Sequence, residues 1–139
     1  MKTKAPASKY KTIMLIDDNE IDNFINERLI KAYYFAQNVY VHTSTKSALE
    51  FLKNIEATIH ELPAELIPSH ILLDINMPIL DGFNFLDEFQ KFAPELTKKI
   101  RVAMLTTSLN PLDIEKSKSY DCVVKFIHKP LTEQELEGL

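Results

Sequence analysis

Ile71-Leu72-Leu73-Asp74 runs straight into Ile75-Asn76-Met77-Pro78-Ile79-Leu80-Asp81-Gly82. Three aliphatic residues lead into one carboxylate, and turn residues follow at once. A short apolar run closed by turn chemistry reads as a buried strand, which puts Asp74 at the rim of a sheet. Three further apolar runs end on a polar feature. Ile13-Met14-Leu15-Ile16 ends in Asp17-Asp18, Val102-Ala103-Met104-Leu105 ends in Thr106, and Val123 to Ile127 precedes Lys129-Pro130.

Between these runs lie longer amphipathic stretches, the alternation expected of βα units around a parallel sheet. The pattern predicts strands near Thr12–Ile16, Val39–Thr43, Ile71–Asp74, Arg101–Leu105 and Val123–Ile127. The first helix carries Ile21, Phe24, Ile25, Leu29, Ala32 and Tyr33 at helical spacing. The second presents Ala48, Leu49, Leu52 and Ile55, and the third Phe83, Leu86, Phe89 and Gln90. A fourth opens at Asn110-Pro111, an N-cap before proline at the first helical position. It is polar, with only Leu112 and Ile114 as evident anchors, and reads as a weakly held element. A fifth starts near Thr132, with Glu135 completing a capping box. The connections Thr58–Ser69 and Ala93–Lys99 read as surface elaborations away from the polar strand ends.

Bulk properties narrow the class. A chain of 139 residues, 45% apolar and 26% charged, is sized for one globular core. Its net charge of −4 and lack of a basic stripe argue against direct nucleic-acid binding. No stretch reaches membrane-spanning length, and nothing resembles a signal peptide. With one cysteine, Cys122, the expected compartment is the cytoplasm. Residues 1–9 lack apolar periodicity and read as a disordered leader before a domain at 10–139. His42, His60, His70 and His128 are scattered and give no zinc pattern.

In open parallel sheets, sites form outside the carboxyl ends of the strands, where strand order reverses. All four polar features fall at such ends. Asp17, Asp18 and Asp74 converging there would repel one another and call for a cation. Mg²⁺, which takes oxygen ligands and keeps several waters, suits them. Asp18, Asp74 and the backbone carbonyl of Asn76 are the expected direct ligands, with Asp17 acting through water. Asp74 is the candidate nucleophile towards phosphorus. Thr106 would donate a hydrogen bond to a phosphoryl oxygen, and Lys129 would pair with the group as a point charge.

Taken together, Asp17-Asp18, Asp74-x-x-Met77-Pro78-x-x-Asp81-Gly82, Thr106 and Lys129-Pro130 resemble the receiver domain of bacterial two-component response regulators, over about residues 10–139. The resemblance implies a flavodoxin-like (βα)5 fold of the α/β class, a doubly wound five-stranded parallel sheet in the order 2-1-3-4-5. It implies phosphorylation at Asp74, metal binding by Asp17, Asp18 and Asn76, a switch pair of Thr106 and Phe126, and rate tuning by Asn76, Thr107 and Ser108. Partners implied are a histidine kinase or a histidine phosphotransfer protein, with a downstream protein target. The cognate kinase, the target, the lifetime of the phosphorylated state, a homodimer and whether the chain is full length or a fragment of a larger protein stay open. One departure is Ser119-Tyr120-Asp121-Cys122, where many receivers have Gly-Ala; a different turn or local strain is expected there.

The expected function is a single-domain phosphoacceptor switch without an output module, and without turnover of a separate substrate. A haloacid dehalogenase-type phosphatase would need Asp-x-Asp, and Asn76 cannot serve as the general acid. A flavodoxin-like cofactor carrier would want glycines and hydroxyls after the first strand, where the chain has Asp17-Asp18-Asn19-Glu20. A degenerate receiver, acting only as a binding module, is disfavoured by the full set of acids, hydroxyl and amine.

Overall fold

The computed structural model describes residues 7–107 and 110–139. Five parallel strands pair in the order β2-β1-β3-β4-β5. They are β1 (Tyr10–Ile16), β2 (Ala36–His42), β3 (His70–Asp74), β4 (Arg101–Thr106) and β5 (Val123–His128). The helices are α1 (Glu20–Ala32), α2 (Thr45–Ala57), α3 (Gly82–Phe89), α4 (Pro94–Thr97), α5 (Pro111–Ser117) and α6 (Glu133–Glu137). This is the doubly wound α/β arrangement that the strand pattern predicts.

Strand alternation sorts the core into two layers. Ile13, Leu15, Leu72 and Leu105 face Ile30 of α1 and Leu136 of α6. Met14, Ile16, Leu73 and Met104 face Leu52 of α2 and Phe85 and Leu86 of α3. Every residue of β3 is buried, as expected of a central parallel strand covered on both faces. Chain reversal after β3 brings Gly82 against the strand's end: a Cβ there would lie 2.8 Å from the backbone oxygen of Asp74, which only glycine avoids.

Several local readings change. In α1 the expected apolar face points outwards: Ile21, Phe24 and Ile25 are 69%, 59% and 54% exposed. The buried line is Asn23, Asn26 and Ile30. Polar anchors at the helix start set this rotation. Asn19 caps the amides of Ile21 and Asp22, and the Asn23 side-chain amide donates to the Asp17 carbonyl at 2.8 Å. Hydropathy spacing finds a face but cannot weigh such bonds. In α3, Phe85 joins the core while Gln90 lies just past the helix, exposed.

The Ala93–Lys99 connection holds the one-turn α4, started by Pro94 at its first position, and buries Leu96 completely. With Ile67 buried in the other long connection, both segments close the core rather than ornament it. Leu112 does not anchor α5; it is 77% exposed. The tie comes from Ser117 and Tyr120, both buried, with the Tyr120 hydroxyl donating to Asp87 of α3 at 2.7 Å. Around residues 119–122 the chain makes successive turns without a left-handed residue; among the described residues, positive φ occurs at Tyr34 and Ile79. The capping box at α6 is half made. Thr132 accepts from the Glu135 amide, but the Glu135 carboxylate pairs with Lys125 at 2.9 Å.

Candidate functional site

Asp17 follows β1, Asp74 ends β3, Thr106 ends β4 and Lys129 follows β5, so all four reach one end of the sheet. Carboxylate oxygens of Asp17, Asp18 and Asp74 lie within 4.8 Å of one another. Asp17 and Asp74 are buried and Asp18 is exposed, so the cluster opens to solvent on one side.

Each buried acid is fixed by backbone bonds. Asp17 Oδ1 accepts the Asn19 amide at 2.9 Å, its own amide donates to the His42 carbonyl, and its carbonyl accepts from Asn23. Asp74 Oδ1 accepts the Asn76 amide at 3.3 Å, and the Ile75 amide donates to the Leu105 carbonyl. Lys129 enters from the end of β5. Its backbone amide donates to the Thr106 carbonyl at 2.7 Å, and the Lys129–Pro130 peptide is cis. Its ammonium lies 2.7 Å from Asp17 Oδ2, 3.0 Å from Asp22 Oδ2 and 3.6 Å from Asp74 Oδ1.

The electrostatics follow from burial. Desolvation, then the neighbouring Asp17 charge, push the Asp74 carboxyl up to about 7; Lys129 offsets them only in part. Burial works against the Lys129 ammonium too, but its bonds to Asp17 and Asp22 outweigh that and raise its pKa. One amine therefore serves three carboxylates and leaves the pocket short of positive charge. A hard divalent cation with an affinity for carboxylate oxygen meets that deficit, and the donor set of Asp17, Asp18 and Asp74 fits Mg²⁺.

Of the other residues singled out in the sequence, Asn76 is exposed in the loop beyond Asp74, and Thr107 is exposed just past β4. Thr106 is buried. Phe126 is half-buried, opposite Met104 in the β4–β5 register, two positions from the Thr106–His128 pair. Ser108 lies outside the described residues. Two residues escaped the sequence reading. Asn23 braces the Asp17 backbone, and Asp22 grips Lys129 across 107 positions of sequence. Its only local mark was an acid in the first helical turn, which the helix dipole alone explains.

The model of the response regulator receiver domain matches residues 13–139. The chain belongs to this family. It is similar to the response regulator Rcp1 of Synechocystis sp., 31% identical over 104 residues, covering 75% of this chain and 67% of that protein. The probable methanogenesis regulatory protein FilR2 of Methanothrix harundinacea is 27% identical over 125 residues, covering 90% of this chain and 76% of its own length. The crystal structure of a two component response regulator from Cytophaga hutchinsonii superposes with a TM-score of 0.82 at 32% identity, covering 94% of this chain and 93% of that one. The receiver is a phosphoacceptor switch of two-component signalling, a class that works between histidine kinases and downstream targets. No helix among its described residues is long and apolar enough to cross a membrane.

Proposed function

We propose that Asp74 of this receiver accepts a phosphoryl group from the phosphohistidine of a histidine kinase or histidine phosphotransfer protein. The single observation behind this reading is the convergence of Asp17, Asp18 and Asp74 within 4.8 Å, with the Lys129 ammonium 3.6 Å from Asp74. One carboxylate oxygen of Asp74 attacks phosphorus in line, the P–N bond breaks, and an acyl phosphate forms. Mg²⁺, when bound, supplies positive charge to the three acids and to the transferring oxygens. Asp18, Asp74 and the Asn76 carbonyl would hold it, with Asp17 orienting the set.

Lys129 then pairs with the new phosphoryl oxygens, and the Thr106 hydroxyl donates to one of them. Movement of Thr106 vacates space that Phe126 turns into, and the surface of α5, β5 and α6 changes shape. Leu112 of α5 and Val124 of β5 are already exposed there, apolar contacts for a protein target. Exposed Ile21, Phe24 and Ile25, at the α1 end beside the acids, offer the phosphodonor an apolar footing. Asn76, Thr107 and Ser108 set the phosphoryl lifetime. The switch has no separate substrate to turn over, and its setting is the cytoplasm.

Incubation with Mg²⁺ and acetyl phosphate tests this. One phosphoryl group per chain is expected, lost on chelation of the metal and absent in Asp74→Asn. Labelling of Asp74→Asn at the wild-type rate would refute the assignment.

A further inference from the structure

We propose that Asp22 is a positioning residue for the phosphoryl chemistry, a second anchor that draws the Lys129 ammonium away from Asp74. The inference rests on the phosphoacceptor reading and deepens it. Asp22 lies in the first turn of α1, one residue short of the Asn23 that braces the Asp17 backbone. Its amide is capped by Asn19 at 3.1 Å, which fixes where its side chain starts. From there Asp22 Oδ2 accepts from Lys129 Nζ at 3.0 Å, closer than the 3.6 Å between that ammonium and Asp74. Asp22 is the more exposed partner: its side chain is 35% exposed against 3% for Asp17 and 6% for Asp74.

Two consequences follow from one contact. A divalent cation and the ammonium compete for the oxygens of Asp17 and Asp74. With Asp22 at 3.0 Å and Asp17 at 2.7 Å, the ammonium rests 3.6 Å from Asp74, which leaves the Asp74 oxygens to the cation. A phosphoryl group on Asp74 needs the ammonium back, and it must then be taken from Asp22. Asp22 therefore favours metal loading and opposes the phosphorylated state. A residue that merely supported the fold would weaken both when removed.

The test compares wild type with Asp22→Asn, nearly identical in shape, after thermal melts confirm that both fold. Mg²⁺ affinity is measured alone. Beryllofluoride affinity, as a phosphoryl mimic, is measured at saturating Mg²⁺. For this partly exposed ion pair the expected shifts are about two- to fivefold. Mg²⁺ should bind more weakly and beryllofluoride more tightly, with Asp22→Glu returning both towards wild type. In a Lys129→Met background the beryllofluoride gain from Asp22→Asn should shrink to less than half, because the ammonium that couples the two is gone. Equal affinities in wild type and Asp22→Asn, both affinities weakened, or an undiminished gain in the Lys129→Met background would each overturn the assignment. Wild type that failed to bind beryllofluoride at all would instead remove the phosphoacceptor reading, and this inference with it.

Discussion

The two ends of the sheet each bury a titratable group, and they use it in opposite ways. At the carboxyl end, Asp74 is driven towards neutrality by burial and by Asp17, and its carboxyl rises to about 7. At the amino end of the same strand, His70 is buried against the rings of Tyr10 and Phe35, with Ser69 Oγ at 2.9 Å from Nδ1 and no partner for Nε2 among the described residues. Burial, then the charges of Arg101 and Lys9, pull it down to about 4. Desolvation leads in both cases. The difference is in the company. His70 sits among aromatic rings and cations that reinforce its neutral form. Asp74 sits between a like charge and a shared amine that disagree, so its protonation and its partners can be changed from outside. A buried titratable group becomes a switch where its neighbours are in conflict, and a structural element where they agree.

The largest test of that contrast removes the shared amine. Lys129→Met keeps the apolar stem but leaves the acids uncompensated, and about 2–3 kcal/mol of stability should be lost in chelator. Millimolar Mg²⁺ should return much of it, since a cation that binds only the folded state stabilises it. Urea titrations with and without metal read both terms. An unchanged midpoint in chelator would mean that the amine does not hold the acids together.

A smaller effect separates the two ends by pH. Asp74 has a folded value above its ordinary 3.8, so its contribution is full below that and fades as pH rises to about 7. His70 has a folded value below its ordinary 6.5, so its contribution is full above 6.5 and fades as pH falls to about 4. Without metal the two slopes oppose each other over the same window, each on the order of 1–3 kcal/mol. Asp74→Asn should leave stability that climbs from pH 4 to 6.5. His70→Leu should leave stability that declines towards pH 7. Thermal melts across that range, in chelator, would show either slope; parallel curves in both variants would dissolve the contrast.

The smallest effect probes the loop next to the acids. Ile79 is 99% exposed and holds φ at 69°, a left-handed conformation that β-branched residues rarely adopt. Ile79→Asn, which tolerates that conformation, should stabilise the fold by about 0.5–1 kcal/mol in urea melts. No change would mean that the loop relaxes without the strain.

How much was legible varied with the range of the interaction. The strands could be read because burial on both faces demands continuous apolar runs, as in Ile71-Leu72-Leu73. Strand ends could be read because a carboxylate or hydroxyl after such a run has nowhere apolar to go. Helix α2 could be read because Ala48, Leu52 and Ile55 meet the core through hydropathy alone. Helix α1 misled because its rotation is set by Asn19 and Asn23, polar side chains that hydropathy counts as outward-facing. Leu112 misled for the converse reason: an apolar residue is not obliged to be inside.

By itself, the sequence determined which groups stand at the ends of which strands, because periodicity and turn chemistry act over a few residues. Tertiary structure alone decided that Lys129 would lie between Asp17 and Asp22, at 2.7 and 3.0 Å, and farther from Asp74. That choice belongs to charges more than a hundred positions apart, whose energy depends on distance and burial, quantities that come into being only when the chain has packed.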